Sequence, residues 1–327
     1  MKKLHLIIFP VLLLSLLITV PTQAQTILKM AFNAPPPVIG PVADKYSEVI
    51  AQKTEKQIQI KWYGGGQLGS NTQNYAQIKT GQIDMMLIGS NLLGIPKGGK
   101  DFEIFSLPYV FRDQDHFRKY ISSPLFQMMV ERAEKESGFK CIGYLGDRAP
   151  RQLTSNRRVA KLEDLKGLKV RAPDSKPIVE TWKVWGAAPV TISAAELYVA
   201  LKQGVVDGQD NGFDAIALAK YYEVQKYVTV IDYIRWGLIV LINAEQWNRL
   251  NPMQKKAFEE TALETDRFAT KMSNDTVAQS IDVLRKHGME ILYPDLGPLK
   301  RLALEVKEKF DGALWEKGLY EKIQEIR

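Results

Sequence analysis

Cysteine and histidine are scarce in this chain of 327 residues. The single cysteine, Cys141, can form no internal disulfide. It lies in the apolar segment KCIGYLG, which predicts a buried strand, so we interpret it as a core residue rather than a nucleophile. Beyond residue 24 the histidines are His116 and His287, too far apart in sequence to indicate a histidine-rich metal site or a Ser-His-Asp arrangement. We therefore predict neither a metal nor a cofactor, and no catalytic residue.

Long apolar runs are confined to the start of the chain. Lys2 and Lys3 precede an almost wholly apolar run over residues 4–20, and the small residue Ala24 follows it. A charged start, an apolar run and a small residue are the layout of a secretory signal peptide, so we predict that residues 1–24 are removed on export. The alternative is a membrane anchor, although the run is marginal against the roughly 20 residues that a span requires.

Charge of one sign is not concentrated anywhere in the sequence. The net charge is +7, and removal of residues 1–24 takes away two positive charges and no negative ones, which leaves +5. Because no basic arm or stripe is present, we expect no nucleic-acid partner. A mild basic excess favours anionic small ligands over long range.

About 300 residues remain, which is more than one core usually serves, so we predict two lobes. Apolar segments alternate with helical patterns, which predicts an α/β fold, and the first three strands predict a βαβαβ unit with a parallel sheet. The predicted strands cover residues 26–32, 57–63, 83–88, 140–145, 151–156, 165–173, 189–192 and 205–208. The predicted helices cover residues 42–53, a segment ending near Thr80, 176–185, 194–203 and 251–288.

Two further patterns support this organisation. The segment KTGQID (79–84) is echoed by KQGVVD (202–207), which favours two lobes of similar construction with a ligand between them, at the carboxyl ends of their strands. A helix over 251–288 would exceed about 50 Å at ~1.5 Å per residue, so we expect it to cross both lobes. We place lobe I at residues 25–148 plus 237–275, and lobe II at 149–236 plus 276–327.

The glycines of GGGQLG (64–69) fit the dinucleotide-binding pattern G-x-G-x-x-G. They follow the second strand of the unit rather than the first, and an exported protein rarely meets such a cofactor. We therefore interpret them as a turn that leads to a helix with Ser70 at its N-cap.

Three polar residues in the second half lie at strand ends or turns, where such a sheet presents side chains to a cleft. These are Arg151, Arg171 and Asn211. A guanidinium in a partly dry cleft binds a carboxylate through two parallel hydrogen bonds, and an amide can donate to the same oxygens. From spacing alone, a solvated surface charge is the favoured role for either arginine taken singly.

Asn33, Ser90 and Asn91 follow strands of the first half and are further candidates for the site. Capping of loops by Asn and Ser side chains is the alternative role for these three residues.

Several segments carry a resemblance to a known family. They are GGGQLGSNTQ, IKTGQIDM, LPYVFRDQDHF, DLKGLKVRAP, AAELYVALKQGVVDGQDN and YYEVQKYVTV, in chain order. Together they resemble the substrate-binding proteins of TRAP transporters, the DctP-type family, over nearly all of the chain after residue 24.

The resemblance implies a periplasmic receptor with a two-lobed Venus-flytrap fold and a long helix spanning both lobes. Such a receptor binds a small organic acid and delivers it to membrane permease subunits. The family's carboxylate-pairing arginine falls on Arg171, a second arginine on Arg151 and the pocket asparagine on Asn211. We expect a monomer, because the protein must open and close.

The sequence departs from the family pattern at two positions. Gly212 stands where a proline often follows the asparagine, and Ala194 stands where many relatives have an aromatic residue that packs on the ligand. Trp236, Phe213 or Trp182 could supply the missing ring, and each is equally a candidate for the core.

Two other functions remain as alternatives to transport. One is a receptor that feeds a membrane sensor, and the other is an exported enzyme acting on a small acid. The scarcity of histidine and cysteine disfavours the enzyme. The identity of the acid is left open.

Overall fold

The computed structural model describes residues 25–327, and the predicted signal peptide lies outside them. The strands are β1 (Thr26–Ala31), β2 (Ile58–Tyr63), β3 (Met85–Gly89), β4 (Phe139–Arg148), β5 (Gln152–Ser155), β6 (Lys169–Ala172), β7 (Ala188–Thr191), β8 (Gly208–Asn211), β9 (Tyr227–Thr229), β10 (Trp236–Asn243) and β11 (Glu290–Leu292). The helices are α1 (Pro36–Lys53), α2 (Asn71–Thr80), α3 (Gln114–Ile121), α4 (Pro124–Ser137), α5 (Lys176–Val184), α6 (Leu197–Lys202), α7 (Phe213–Leu218), α8 (Ala244–Arg249), α9 (Pro252–Lys286), α10 (Gly297–Phe310) and α11 (Leu319–Gln324). None of the helices in this part of the chain combines the length and apolar character needed to cross a membrane.

The strands form two sheets, which confirms the predicted two-lobed α/β fold. The first has the order β2-β1-β3-β10-β4 and the second the order β11-β9-β5-β8-β6-β7. The predicted parallel unit is present, since β1 pairs in parallel with both β2 and β3. The first sheet is nevertheless mixed, because β10 returns from the second sheet and inserts antiparallel between β3 and β4. Residues 237–243 of β10 are all buried, as a central strand requires.

Local sequence explains most helix boundaries. At α2 the Ser70 hydroxyl accepts from the Gln73 amide, the Gln73 side chain accepts from the Ser70 amide, and Gly81 ends the helix with φ 72°. Helix α1 begins six residues before its predicted start. Pro36 and Pro37 occupy its first turn, where a missing N–H removes no helical hydrogen bond.

Strand β8 lies three residues beyond its predicted position. Val205 is 48% exposed, whereas the polar residues Gln209 and Asp210 are fully buried within the sheet. Their side chains find partners there, since Gln209 donates to the Thr154 hydroxyl over 2.8 Å and Asp210 pairs with Arg151. A polar segment can therefore serve as a central strand, contrary to the apolar pattern on which the prediction rested.

Helix α9 packs on the cores of both sheets. Its 35 residues span about 50 Å at ~1.5 Å per residue. Phe258 and Ala269 belong to the core of the first sheet, and Leu284 belongs to a core of the second. This agrees with the expectation that one long helix spans both lobes.

The C-terminal segment also contacts both sheets. Leu299 of α10 packs in the core of the second sheet, whereas Trp315, Leu319 and Ile323 pack with the aromatic core of the first. The predicted assignment of residues 276–327 to lobe II departs from this packing over the last part of the chain. The division into lobes otherwise stays a prediction.

Candidate functional site

A cavity of about 250 Å³ lies between the two sheets. Its walls include loops and helix starts that follow β1, β3, β7 and β8, together with the first residues of β10. Six residues that the sequence analysis named as candidates for the site line it: Asn33, Asn91, Arg151, Arg171, Asn211 and Trp236. The cavity thus lies at the carboxyl ends of several strands, where the sequence pattern placed it.

Two other candidates lie near the cavity without lining it. Ser90 is fully buried, and its hydroxyl accepts from the Gly237 amide over 3.2 Å, so it joins the end of β3 to the start of β10. Phe213 packs in a core of the second sheet with Leu197 and Leu201. Trp182 is likewise wholly buried in that lobe.

Arg151 is neutralised by an acidic partner inside the protein. Its Nε donates to a carboxylate oxygen of Asp210, and its Nη2 donates to the carbonyl oxygen of the same residue over 2.7 Å. The Tyr233 hydroxyl donates to the same Asp210 carboxylate oxygen over 2.5 Å. Burial acts against the charge of Arg151, but Asp210 and Tyr233 outweigh it and raise the pKa of Arg151 above its ordinary value.

Arg171 has no such partner. Its Nε donates to the Ile192 carbonyl oxygen over 2.8 Å, and no carboxylate lies within 4.0 Å of it among residues 25–327. The residue is only 4% exposed. Burial, reinforced by the positive charge of Arg151, lowers the pKa of Arg171 to about 10, so it is still charged at neutral pH. The cavity therefore contains one buried guanidinium whose charge no carboxylate of the described chain pairs.

The asparagines are held by hydrogen bonds that leave some of their polar groups free for a ligand. Asn211 Nδ2 donates to Gln209 Oε1 over 2.6 Å, and Asn33 Nδ2 donates to the Gly69 carbonyl oxygen over 2.9 Å. Each amide nitrogen carries a second hydrogen. The Asn33 bond also anchors the glycine turn, in which Gly66 and Gly69 have φ values of 75° and 113°. These values agree with its interpretation as a turn.

Sequence reasoning missed three sets of lining residues. Ser70, Asn71 and Thr72 at the start of α2 line the cavity, and the predicted N-cap was a signal that could have found them. Tyr221 also lines it, and burial raises the pKa of its hydroxyl, so this phenol is neutral and able to donate or accept. The third set is apolar and is spread over α1, β3, α7 and β10, where nothing in the sequence distinguishes these residues from core residues.

Two α/β lobes, one helix packed on both and a ligand-sized cavity between them define a solute-binding protein of the two-lobed type. The chain belongs to the bacterial extracellular solute-binding protein family 7, or DctP family, whose sequence profile matches residues 32–311. The predicted family is thereby confirmed.

Individual relatives agree with this assignment. The chain is 29% identical over 319 residues to the sialic acid-binding periplasmic protein SiaP of Vibrio cholerae, covering 95% of this chain and 96% of that protein. A TRAP periplasmic solute-binding protein from a Polaromonas species, crystallised with D-erythronate, has a TM-score of 0.85 at 24% identity, covering 93% of this chain and 99% of that one. The sugar acid binding protein of Advenella mimigardefordensis, in complex with galactonate, has a TM-score of 0.86 at 19% identity, covering the same shares. At these identities the two structures show the shared fold.

Proposed function

We propose that this chain is a periplasmic receptor that captures a small carboxylate between its lobes and delivers it to a TRAP membrane permease. The observation that carries the proposal is the buried guanidinium of Arg171, which faces the cavity without a carboxylate partner within 4.0 Å among the described residues. Membership of a solute-binding family supports the receptor role, and each of the three relatives described above binds an acid.

Electrostatics favour an anion at this position. An unpaired charge out of water is costly, and a ligand carboxylate would compensate it at short range. Because the Nε of Arg171 is held by Ile192, the planar fork is fixed in orientation, which suits two parallel hydrogen bonds to a carboxylate. Arg151 is already paired with Asp210. We therefore assign it a positioning role beside the ligand, and assign the principal contact with the carboxylate to Arg171.

The places where the chain crosses between the two sheets support capture by lobe closure. The chain crosses between the two sheets at residues 149–151 and 230–235, and the lobe boundaries proposed from sequence after residues 148 and 236 lie at the edges of these two crossings. Backbone hydrogen bonds tie these crossings together, since the Arg151 amide donates to the Ile234 carbonyl oxygen over 3.1 Å. Short paired crossings of this kind allow two lobes to rotate about a hinge.

The direct test is calorimetric titration of residues 25–327, freed of copurified ligand by unfolding and refolding, with a panel of small carboxylates. Arg171→Ala should weaken the best ligand by about 2–5 kcal/mol, a rise in Kd of roughly 30-fold or more. The matched control is Arg158→Ala, because Arg158 forms only an exposed ion pair with Glu290. Unchanged affinity in Arg171→Ala would refute the assignment of the carboxylate to this residue.

Delivery and assembly need their own measurements. Recovery of the bound acid unchanged after prolonged incubation distinguishes a receptor from an exported enzyme. A neighbouring gene for a multi-span permease supports transport, and one for a sensor kinase supports signalling. Light scattering with and without ligand tests the expected monomer.

A further inference from the structure

The cavity has a second, apolar end. Apart from Ala34, six lining residues with only hydrocarbon side chains belong to or pack against one apolar cluster: Val38, Ile39, Leu87, Ala215, Ala219 and Leu238. Membership of one cluster means that these side chains are connected through apolar contacts, so they contribute an apolar part of the cavity wall. We call these six residues the apolar end of the cavity.

Small side chains keep space open there. Ala215 and Ala219 are one helical turn apart, and the Ala219 amide donates to the Ala215 carbonyl oxygen over 2.9 Å, so both lie on the same side of α7. The buried residue Ile216 instead belongs to a core of the second sheet. Helix α7 thus presents methyl groups to the cavity, whereas Phe213 and Ile216 pack in a core of the second sheet.

Trp236 extends this apolar surface. Its indole nitrogen, the only polar atom of the side chain, donates to the Ala149 carbonyl oxygen over 3.2 Å. The ring therefore offers carbon alone to a ligand. It also lies against Arg151, whose guanidinium carbon is 5.9 Å from the ring centroid, so Trp236 lies near the polar side of the cavity as well. Ala194, which also lines the cavity, adds a further methyl group.

Ligand hydroxyl groups would find no hydrogen-bond partner among the six side chains of the apolar end. A ligand hydroxyl gives up hydrogen bonds to water on entry and finds none from the six side chains, which is unfavourable. A hydrocarbon group meets no such penalty and gains from burial. The volume of about 250 Å³ is ample, since an apolar cavity of about 150 Å³ accommodates benzene. A carboxylate at Arg171 and a body of roughly six carbons fit together within that space.

Resting on the proposed carboxylate receptor, we propose that the ligand is a monocarboxylate with an apolar aliphatic or aromatic body, and that the apolar end of the cavity excludes polyhydroxylated sugar acids. An oxygen beside the carboxylate is compatible with this ligand, because Asn211 and Tyr221 also line the cavity, Asn211 on the strand next to that of Arg171 and Tyr221 within reach of the Arg171 charge.

Acids of matched length test the inference. 2-Hydroxyhexanoate and D-gluconate share six carbons, a carboxylate and the hydroxyl at carbon 2, and they differ in four hydroxyls further along. 2-Hydroxybutanoate and D-erythronate form a shorter pair. Calorimetry should show the apolar member of the longer pair binding at least about 100-fold more tightly. Equal or tighter binding of gluconate would overturn the inference and leave the carboxylate receptor intact. If no carboxylate in the panel bound, both the inference and the proposed receptor function would be overturned.

A variant localises the effect. Ala219→Leu fills the apolar end, so the Kd of 2-hydroxyhexanoate should rise at least about tenfold, while that of 2-hydroxypropanoate, which reaches only the polar end, should not change. The control is Leu218→Ala, whose side chain is 38% exposed on the same helix and outside the cavity. Thermal melts establish that each variant is folded. Equal weakening of the long and short acids by Ala219→Leu would refute the placement of the tail.

Discussion

Removal of the Asp210 carboxylate should destabilise the protein far more than removal of a surface charge. Asp210 is fully buried and accepts hydrogen bonds from Arg151 and from the Tyr233 hydroxyl. In Asp210→Asn the charge of Arg151 stays buried without a partner and close to the charge of Arg171. Breaking a buried pair from one side destabilises by about 3–5 kcal/mol. At roughly 2–4 °C per kcal/mol for a domain of this size class, the Tm should fall by about 6–20 °C.

The assay is reversible urea unfolding of the ligand-free protein followed by circular dichroism, with the melting temperature as a second readout. The matched control is Glu290→Gln, which breaks the exposed pair with Arg158 and should change stability by less than about 1 kcal/mol. The double variant Arg151→Gln/Asp210→Asn should recover part of the loss, because it removes the orphaned charge. If Asp210→Asn changed the free energy of unfolding by no more than the control does, the buried pair would not stabilise this site and our account of Arg151 would be wrong.

Two further predictions concern pH and packing. Burial, opposed by Lys176, raises the pKa of Glu103 to about 7, so its contribution to stability is complete below its ordinary pKa of 4.5 and is lost as the pH rises through 7. Urea unfolding at intervals between pH 4.5 and 7 should show this decline, and Glu103→Gln should flatten it; equal slopes in both proteins would contradict the assignment. Gly146→Ala should lower stability by about 2–4 kcal/mol, because the added methyl would lie 2.6 Å from the Ala269 Cβ and φ is 120°. The control Gly288→Ala, with φ 83° and open space around it, isolates the backbone strain; a similar loss in both variants would show that packing of α9 on β4 is not the cause.

Local patterns predicted the features that local physics determines. The N-cap at Ser70, the glycine turn before it and the start of α9 at Pro252 all depend on residues within one helical turn. Arg171 was found through its position at a strand end and through a family resemblance. The proposed function depends on whether its guanidinium is paired with a carboxylate, and that is determined by residues far away in sequence.

Features that depend on distant partners were not predictable. The antiparallel insertion of β10 is set by pairing with β3 and β4, across about 90 to 150 residues. The position of β8 depends on buried partners for polar side chains, which an apolar pattern does not reveal. The residues of the apolar end of the cavity have the same composition as core residues, so only the folded arrangement distinguishes a lining side chain such as Leu87 from its neighbours.

The continuity of α9 limits how a loaded receptor can be distinguished from an empty one. Its 35 residues form one uninterrupted helix that packs on both cores, and a hydrogen-bonded helix keeps its length when domains rotate. A partner that bound only along this helix would therefore meet nearly the same surface in both states. Under the proposed closure, discrimination has to come from the rims of the cavity, where surfaces of the two lobes approach each other only when the ligand is inside.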